Sequence, residues 1–595
     1  MIPTDSSAAS DTPPARRSSR GWIGALVVVL GVALAWRLAI AANMPAIARD
    51  GVQFCWQARD LGIEGVSLLR SDRYPQHPAF AALTLATQRG LRGLGWADES
   101  LTWQTAGQAV ALASGLAVVL LTAALTLVLA RQLAGGNDGG APGDAATARQ
   151  AAHAAPSAGH DTAWAPDEQA PRAALLAAAI AALLPLNVWL SVDVMSDELH
   201  AALYVGGALA MLHAASVRGA ALAGLCGGLA FLTRPEGATV WLATVLLIAS
   251  RIGRQRQAMR APAGLATSPG PRTPARAFDA LTVRAALVRI AAATVAFVVC
   301  AAPYWMLTGS LSAKLDKEAV EEFLPTALPS PAALLRESVP PHELLPRALY
   351  ETGRAGRVVV PLLAILALAG LRRRLAHPPL LGPLLCMGVH FGLSAWNLHH
   401  AGYLDPRHTL VVVALLTPLA AIALAQTQAI ALRRRRRWVG VVVIAACLAP
   451  LAAYAARIPN ADAAVLREVA RVIRGTDPDA ESRLLLGGSS EKRIAFYADL
   501  QFQAWPENEP EPGARYAALR DHVLYFRPQY VAISFGAGRE VADNERLANA
   551  LAGDDELRAA ATLAVGTVSG HAVSVRLITL RWPSAAPTSH RASPP

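Results

Sequence analysis

The chain has 595 residues, of which 53% are hydrophobic, and its mean hydropathy is +0.34, which excludes an ordinary soluble domain and is typical of an integral membrane protein with many spans. The net charge of +11 comes from 54 Lys and Arg residues against 43 Asp and Glu residues, and the arginines cluster between apolar segments. The positive-inside rule accounts for that clustering, so no nucleic-acid partner is indicated.

The N-terminal region contains one hydrophobic segment. Residues 1–20 are rich in Ser, Pro and Arg and are predicted to be a disordered cytoplasmic N-terminus. The apolar run 22–42 is about a full span long and exceeds the apolar region of a cleaved signal peptide, so we interpret it as a retained signal anchor. Arg37 is a charge inside this segment and is assigned to the membrane interface. A transmembrane domain of residues 21–456 is predicted to begin here.

An outer loop is predicted for residues 43–105, and Asp50 lies near its start. A carboxylate so close to the end of a membrane helix is costly unless it has a partner or a function. Asp50 is therefore either a structural group, paired with Arg49 or capping a re-entrant helix, or part of an active site at the membrane surface. The second predicted helix, 106–131, leads to an Ala/Gly/Asp-rich stretch, 134–171, which is predicted to be a disordered cytoplasmic linker.

The third and fourth predicted helices, 173–191 and 199–215, are separated by a short acidic stretch. Ser196, Asp197 and Glu198 stand directly before the fourth helix. Hydroxyl and carboxylate groups at that position are good helix caps, which is one interpretation. The other is that the two acids belong to a site on the outer face.

The apolar stretch 219–250 is too long for one span and short for two. Residues 233–237, with the sequence Thr-Arg-Pro-Glu-Gly, interrupt it, and Pro and Gly break helices. We therefore predict a tight helical hairpin with Arg234 at its tip. Arg234 and Glu236 are either a buried ion pair or substrate contacts.

Five further predicted helices bring the count to about eleven spans. They are 284–307, 357–371, 380–397, 409–427 and 438–456. Residues 251–282 are predicted to be a second cytoplasmic linker, and 308–356 a second outer loop. With eleven spans starting inside, every short Arg cluster falls on the cytoplasmic side. The candidate charged residues on the opposite face are Asp50, Asp197, Glu198, Arg234 and Arg407. If the hairpin were a single span, every segment downstream of it would lie on the opposite side of the membrane.

Residues 457–582 are polar with mixed periodicity and are predicted to form a small extramembrane α/β domain on the extracytoplasmic side. Apolar residues recur at helical spacing between 463 and 473. The predicted strands are 483–487, 493–498, 530–535, 562–568 and 571–580, and the last two form a hairpin. Residues 583–595 are predicted to be a disordered tail.

Two other segments carry candidate substrate contacts. His77 lies between prolines and is either a turn residue or a substrate contact. Arg407 follows Pro406 and is either a helix cap or a ligand for phosphate oxygens, which a planar guanidinium suits. The nearby histidines have no metal-ligand spacing, and the five cysteines include no C-x-x-C pair. Neither a metal, a cofactor nor a disulfide framework is indicated.

These segments together resemble the GT-C superfamily of polytopic glycosyltransferases, in particular the bacterial branch related to protein O-mannosyltransferases and lipid A aminoarabinose transferases. The motifs that carry the resemblance are Ala48-Arg49-Asp50-Gly51, Tyr74 to Pro78, Ser196-Asp197-Glu198, Gly227 to Gly237 and Tyr403 to His408. The resemblance implies a fold with a transmembrane helical bundle and, as donor, a sugar linked to a polyprenyl phosphate. It also implies an acceptor lipid, glycan or protein outside the cytoplasm, and a location in the inner (plasma) membrane.

The resemblance places the catalytic acid of the family's first loop at Asp50. Several relatives have two adjacent acids there, whereas here Gly51 follows, which puts a two-carboxylate or metal-bridged site in doubt. The predicted substrate-binding residues are Arg49, His77, Asp197, Glu198, Arg234, Glu236, Tyr403 and Arg407. The predicted mechanism is an inverting single displacement, with Asp50 as general base and Arg407, together with Arg234, stabilising the leaving phosphate.

Two functions of other classes remain open. A polytopic lipid or small-solute transporter would be equally basic, but it should show charges in mid-span and pseudo-repeats, and neither is clear here. A non-catalytic cell-envelope assembly protein would use the C-terminal domain for partners. It would give no reason for acids and arginines to converge on one membrane face. The sequence does not identify protein partners.

Overall fold

The computed structural model describes most of the chain, and the architecture is mainly α-helical with a small sheet near the C-terminus. The described residues are 18–71, 73–74, 76–135, 166–260, 275–309, 339–370, 378–402, 404–460, 463–477, 482–505, 512–536, 539–570 and 573–583. Most of the predicted N-terminal segment, tail, first linker and second outer loop lies outside these residues, as does the part 261–274 of the second linker.

Apolar residues dominate most of the helices that precede the sheet. In chain order they are α1 (Ser18–Asn43), α2 (Arg49–Glu64), α3 (Pro78–Gly93), α4 (Ser100–Gly135), α5 (Pro166–Leu183), α6 (Pro185–Val192), α7 (Asp197–Met211), α8 (Val217–Phe231), α9 (Ala238–Arg260), α10 (Ala275–Thr308), α11 (Pro341–Ala355), α12 (Val359–Gly370), α13 (Pro378–Ala401), α14 (Leu410–Arg433) and α15 (Arg437–Ala455). The segment predicted to be the first outer loop thus contains two helices, α2 and α3.

The described helices do not confirm the predicted number of spans. Within the described residues, 6 helices are long and apolar enough to cross a membrane, or up to 8 if each bent pair of helices is one span. The chain is therefore a multi-pass membrane protein, but eleven spans are not confirmed. Helices α7 and α8 have only 15 residues each. At 1.5 Å rise per residue such a helix is shorter than a hydrocarbon core of about 30 Å.

The third predicted helix is broken in two. Pro185 separates α5 from α6, and their axes are bent by 57°. A proline disfavours helical geometry in the residue before it, and Leu184 is extended. Arg37 of α1 is fully buried at this break. Its Nη1 donates to the carbonyl of Ala182 over 3.1 Å and its Nε donates to Ser191 Oγ over 2.9 Å. The prediction that Arg37 reaches the interface is wrong, because the broken helix offers it unpaired carbonyls inside the bundle.

The predicted hairpin is present. Helix α8 ends at Phe231, a 3-10 turn occupies Pro235–Gly237, and α9 runs back from Ala238. Gly237 packs so closely on the end of α8 that an added Cβ would lie 2.2 Å from the carbonyl carbon of Ala230. The tip therefore requires glycine, and it fixes Arg234 beside the loop before α7.

The C-terminal α/β domain follows α15. Its elements are α16 (Ala464–Thr476), β1 (Leu484–Gly487), α17 (Lys492–Ala498), β2 (Gln501–Ala504), α18 (Pro512–Phe526), β3 (Tyr530–Gly536), α19 (Arg539–Gly553), α20 (Asp555–Ala560), β4 (Thr562–Ser569) and β5 (Val573–Arg581). The sheet order is β2-β1-β3-β5-β4, with β1 parallel to β2 and β3 and with β5 antiparallel to β3 and β4.

The predicted β4–β5 hairpin is confirmed, whereas the strand predicted at 493–498 is wrong. That segment is helix α17, and β2 was not predicted. Residues 494–498 are all apolar and buried. A short, fully buried apolar run has no periodicity that distinguishes a strand from a helix.

One hydrophobic core joins the C-terminal domain to the first outer loop. It includes Ile47, Val52 and Cys55 from the loop and Leu466 and Phe496 from the domain. Hydrogen bonds reinforce the contact. The backbone N–H of Ile47 donates to Tyr497 Oη over 2.9 Å, and that hydroxyl donates to Gln104 Oε1 over 3.0 Å. Helix α2 is therefore held between the membrane helices and the C-terminal domain.

Candidate functional site

The first turn of α2 is built for close approach to another loop. The backbone N–H of Ala48 donates to Asp193 Oδ1 over 2.8 Å, which anchors the start of the helix. An added Cβ on Gly51 would lie 2.9 Å from the carbonyl oxygen of Val194, so no side chain fits there. Asp50 thus stands at a helix N-terminus, where the helix dipole favours a negative charge, next to the loop that leads into α7.

Asp50 forms an ion pair with Arg407, whose Nη1 donates to Asp50 Oδ2 over 2.6 Å. Arg407 lies in the 3-10 turn Pro406–Thr409, which Asp405 caps by accepting from the Arg407 N–H over 2.9 Å. Burial raises the pKa of Asp50, but the charge and hydrogen bond of Arg407, with the charges of Lys492 and Arg49, outweigh it. The pKa of Asp50 therefore lies below its usual value of 3.8.

A second ion pair faces the first. The guanidinium of Arg234, at the hairpin tip, bonds to Asp197 Oδ1, and its Nε lies 3.6 Å from Glu236 Oε2. Asp197 is buried in the first turn of α7. Arg234 is thus an ion-paired residue that also lines a cavity, and its contact with substrate stays a prediction.

The cavity has a volume of about 200 Å³ and lies between α2, the loop before α7, the hairpin tip and the turn before α14. Its lining residues are Asp50, Phe54, Gln76, His77, Met195, Ser196, Asp197, Thr233, Arg234, Pro235, Glu236, Arg407 and His408. Three carboxylates and two guanidiniums therefore share a small space. Segments far apart in the sequence supply them, as the sequence predicted.

His77 forms an aromatic wall of the cavity. It is 3% exposed, stacks on Tyr304 with ring centroids 4.8 Å apart, and meets Phe231 edge-on at 5.0 Å. It also stands directly before Pro78 at the start of α3. His77 is therefore both a turn residue and part of the cavity wall.

Two predicted site residues in the described part of the chain do not line the cavity. Arg49 is exposed and its Nη1 donates to Ser489 Oγ over 3.2 Å, toward the C-terminal domain. Glu198 is fully buried beneath the cavity, and within the described residues neither of its carboxylate oxygens has a hydrogen-bond partner. Its charge acts on Arg37. Tyr403 lies outside the described residues.

Sequence reasoning missed Lys492, which begins α17 in the C-terminal domain. It is 6% exposed, and its charge acts on Asp50. One feature of the sequence sets Lys492 apart, since only three of the 54 basic residues are lysines. As for metals, the described residues contain no group of three or more His, Cys, Asp or Glu side chains that could hold an ion.

The arrangement offers two chemical functions in one place. A carboxylate that can accept a proton, Asp50, touches a guanidinium that can bind a phosphate oxygen, Arg407. A second guanidinium, Arg234, is held nearby by two acids. Such a cavity suits an anionic leaving group and a hydroxyl nucleophile.

No family model matches the sequence, and no curated protein matches it. Solved structures do match. ArnT from Cupriavidus metallidurans, a lipid A aminoarabinose transferase, aligns in its apo state over 94% of this chain and 98% of its own, with 16% identity and a TM-score of 0.51. Its structure bound to undecaprenyl phosphate aligns over the same shares with 14% identity and a TM-score of 0.51.

The oligosaccharyltransferase of Archaeoglobus fulgidus, tethered with an acceptor peptide, aligns over 95% of this chain and 74% of its own, with 13% identity and a TM-score of 0.52. Both proteins are GT-C glycosyltransferases. At such low identity the likeness is one of fold, and it extends over nearly the whole chain.

Proposed function

We propose that this chain, which has the fold of the GT-C superfamily, is a membrane glycosyltransferase that moves a sugar from a polyprenyl-phosphate carrier to an extracytoplasmic acceptor. The observation that carries the proposal is the ion pair of Asp50 and Arg407 within the shared cavity. A proton acceptor and a phosphate ligand meet there beside the membrane helices. An assembly protein gives no reason for that contact, and the sugar-transfer assay separates the proposal from a transporter.

The donor is proposed to bind through its phosphate. Two matching structures hold a lipid carrier of this class, undecaprenyl phosphate in ArnT and a dolichol-phosphate in the archaeal oligosaccharyltransferase, which supports a lipid-linked donor. In this chain Arg407 and Arg234 would bind the phosphate oxygens, since a planar guanidinium matches them with two parallel hydrogen bonds. Asp197 and Glu236 would hold Arg234 in place for that contact.

Arg407 would then couple donor binding to base strength. While it donates to Asp50, the carboxylate is a weak base because its pKa is held below 3.8. A phosphate that competes for the same guanidinium draws positive charge away from Asp50 and raises its basicity toward the range in which general bases are effective. The base would therefore become active when the donor is in place.

The proposed reaction is a single displacement. Asp50 takes the proton of the acceptor hydroxyl, the hydroxyl oxygen forms a bond to the anomeric carbon, and the bond from that carbon to the phosphate oxygen breaks. The electron pair of that bond leaves with the polyprenyl phosphate, whose added negative charge Arg407 stabilises. Attack from the face opposite the leaving group inverts the configuration. His77 would form an apolar face against the sugar ring.

The test is transfer by the purified protein. Wild-type protein and the Asp50→Asn variant, both in detergent, are incubated with polyprenyl-phosphate sugars and with lipid, glycan and protein acceptor fractions. We expect the wild type alone to release polyprenyl phosphate and to label an acceptor. If the wild type transfers no sugar from any polyprenyl-phosphate donor, the proposal is wrong.

The orientation is a separate part of the proposal. Short Arg-rich segments, such as residues 433–437 between α14 and α15, support a cytoplasmic position for that end of the bundle. The Asp50 cavity and the C-terminal domain would then face the extracytoplasmic side of the inner membrane. A cysteine introduced at Gln503 of β2 should react with an impermeant reagent in intact cells, whereas one at Arg131 of α4 should not. The opposite pattern would reverse the proposed orientation.

A further inference from the structure

Lys492 is an unusual basic residue in this chain. Besides Lys314 and Lys317 it is the only lysine among 54 basic residues. It is 6% exposed, and within the described residues its ammonium has no hydrogen-bond or ion-pair partner, although the nitrogen is not fully shielded from solvent. An ammonium has three donors and no acceptor, so such low exposure is unfavourable unless an anion satisfies the donors that water does not reach.

The charges around Lys492 do not supply that anion. The charged groups that act on it are Asp50 and Arg49 of α2 and Arg493 of its own helix. Asp50 is the one acid among them, and Arg407 already binds it at 2.6 Å. The pKa of Lys492 is lowered to about 8, chiefly by burial, with smaller contributions from the charges of Arg49 and Arg493, while Asp50 opposes them. The three cations Lys492, Arg49 and Arg493 therefore outnumber the two nearby carboxylates, Asp50 and the neighbouring Glu491.

The backbone around Lys492 is held in a position that suits a ligand. Residues 488–491 form the loop after β1, at the carboxyl ends of the parallel strands β1 and β3. Open α/β sheets bind ligands at that edge. The backbone N–H of Ser534, in β3, donates to Glu491 Oε1 over 2.9 Å, and Arg49 reaches Ser489 from the membrane domain. Both domains thus contribute to one basic junction beside Asp50.

We propose that Lys492 and Arg49 form an anion-binding site between the C-terminal domain and α2, and that its ligand is a phosphate group of the substrate that reacts at Asp50. The inference rests on the proposed function and adds a residue from the C-terminal domain to the site. A phosphate brings acceptor oxygens to the donors of Lys492 and offsets the excess of positive charge. Binding then depends on the C-terminal domain as well as on the membrane helices.

The phosphate can come from two substrates, the lipid donor or a phosphorylated acceptor. The chemistry of recognition is the same in both cases, since ammonium and guanidinium groups bind the oxygens of either. Probes that carry the phosphate on different molecules distinguish them. Undecaprenyl phosphate represents the donor lipid, undecaprenol is the matched lipid without the phosphate, and inorganic phosphate represents a group that is not attached to the lipid.

The first experiment measures protection of the Lys492 amine. Lys314→Arg and Lys317→Arg leave Lys492 as the sole lysine, and an amine acylating reagent then modifies it in the purified full chain. Mass spectrometry of the peptide that contains Lys492 gives the rate. We expect undecaprenyl phosphate or inorganic phosphate, at about ten times its dissociation constant, to slow acylation about tenfold, and undecaprenol to leave it unchanged.

Protection by undecaprenyl phosphate at concentrations where inorganic phosphate fails assigns the site to the donor, whereas protection by inorganic phosphate alone assigns it to the acceptor. The inference is overturned if Lys492 is acylated at the same rate with undecaprenyl phosphate, with inorganic phosphate and with neither. Protection by undecaprenol as strong as that by undecaprenyl phosphate also overturns it, because the lipid alone would then shield the amine. The readout needs no sugar transfer, so it remains decisive if the proposed function fails.

A kinetic experiment tests the same site through the reaction. Lys492→Gln should raise KM for the phosphate-bearing substrate roughly tenfold to a hundredfold, as expected for the loss of a charge-assisted hydrogen bond, while kcat changes less. Lys492→Arg should restore part of the binding because it keeps the charge. Arg483→Gln is the matched control, since Arg483 pairs with Asp477 elsewhere in the C-terminal domain. An unchanged KM in Lys492→Gln would remove Lys492 from the site.

Discussion

Arg407 donates a hydrogen bond from Nη1 to Oδ2 of Asp50 over 2.6 Å, although the two residues lie 357 positions apart in the chain. The contact ties the first outer-loop helix to the turn before α14. It joins a negative group that is proposed to accept a proton to a positive group that is proposed to bind phosphate. In the proposed reaction, the ion pair keeps both side chains in position until the substrate replaces one of the two partners.

Asp50→Asn should abolish most turnover without unfolding the protein. The substitution keeps the size of the side chain but removes the proton acceptor, and general base catalysis contributes about a hundredfold to ten-thousandfold in rate. Turnover per folded molecule is measured with purified variants. Asp60→Asn is the control, because Asp60 lies in the same helix and pairs with Arg73 outside the cavity. A near-normal rate in Asp50→Asn would leave Asp50 a structural role only.

Arg407→Ala should weaken donor use far more than folding. Arg407→Lys should recover only part of the loss, since a point charge does not reproduce two parallel hydrogen bonds to phosphate. The dissociation constant for undecaprenyl phosphate and kcat/KM for the donor are the measurements. Arg73→Ala provides a matched control, because Arg73 pairs with Asp60 and Glu64 at an exposed position. Full donor affinity in Arg407→Ala would exclude Arg407 from the donor site.

The pH profile reports the ion pair directly. Because the pKa of Asp50 in the free protein lies below 3.8, Asp50 stays ionised as pH falls from 7 to 5, and it should add no acid limb to kcat/KM in that range. In Arg407→Gln the lowering charge is gone while burial still raises the pKa, so the acid limb should move to higher pH. The same sign applies to folding. The pair stabilises the native state above about pH 4, and that stabilisation is lost as pH falls through the native pKa. The prediction for kcat/KM is contradicted if the wild-type profile has an acid limb near pH 6 and Asp50→Asn removes that limb.

Gly51→Ala should displace Asp50 without removing any polar group. The new Cβ would lie 2.9 Å from the carbonyl oxygen and 3.1 Å from the Cβ of Val194, so α2 must shift. Overpacking of this kind costs about 1–3 kcal/mol in stability, and a misplacement of about 1 Å can lower the rate about a hundredfold. Gly90→Ala in α3 is the control, because nothing lies within 4 Å of its added Cβ. Equal rates in both variants would show that the contact with Val194 does not position Asp50.

Arg37→Met should destabilise the membrane bundle. It removes a fully buried guanidinium that bonds to Ser191 and Ala182 and leaves Glu198 without the charge that acts on it. A hydrogen bond that involves a charged group contributes about 1.5–3 kcal/mol, and Arg37→Met removes two of them. Thermal unfolding in detergent, followed by size-exclusion chromatography, measures the effect. The double variant Arg37→Met with Glu198→Gln should recover part of it, and Arg131→Met, at an exposed end of α4, should have little effect. If the single variant loses no stability, the acceptor groups at the break between α5 and α6 do not need Arg37 as a hydrogen-bond donor.

The sequence predicted those parts of the fold that have a local cause. Proline and glycine marked the hairpin tip at Arg234, and alternating strands around Ser569 marked the β4–β5 hairpin, so both were found. The bend at Pro185 was missed, although its cause is equally local, because the flanking residues are apolar on both sides. Helix α17 was read as a strand, since a short buried apolar segment has no distinguishing period.

The site could be predicted only in part. The sequence indicates which residues face the same side of the membrane, but it does not indicate which of them touch each other. Placing Asp50 and Arg407 on the same face depended on counting spans, whereas their hydrogen bond depends on the cap at Asp405 and on the missing side chain at Gly51. Glu198 illustrates the limit. It is the sequence neighbour of Asp197, yet the next position on a helix points in another direction, and its carboxylate is buried beneath the cavity.

The hydrophobic core that joins the first outer loop to the C-terminal domain has a consequence for biogenesis. Proteins are synthesised from the N-terminus, so α2 leaves the ribosome long before α16 and α17. Until those helices arrive, Ile47 has no Tyr497 to bind, and the apolar side of α2 has nothing to cover it. A chain that has inserted all its membrane helices is therefore still immature. The cavity around Asp50 matures only after translation has passed the segment that holds α2 in place.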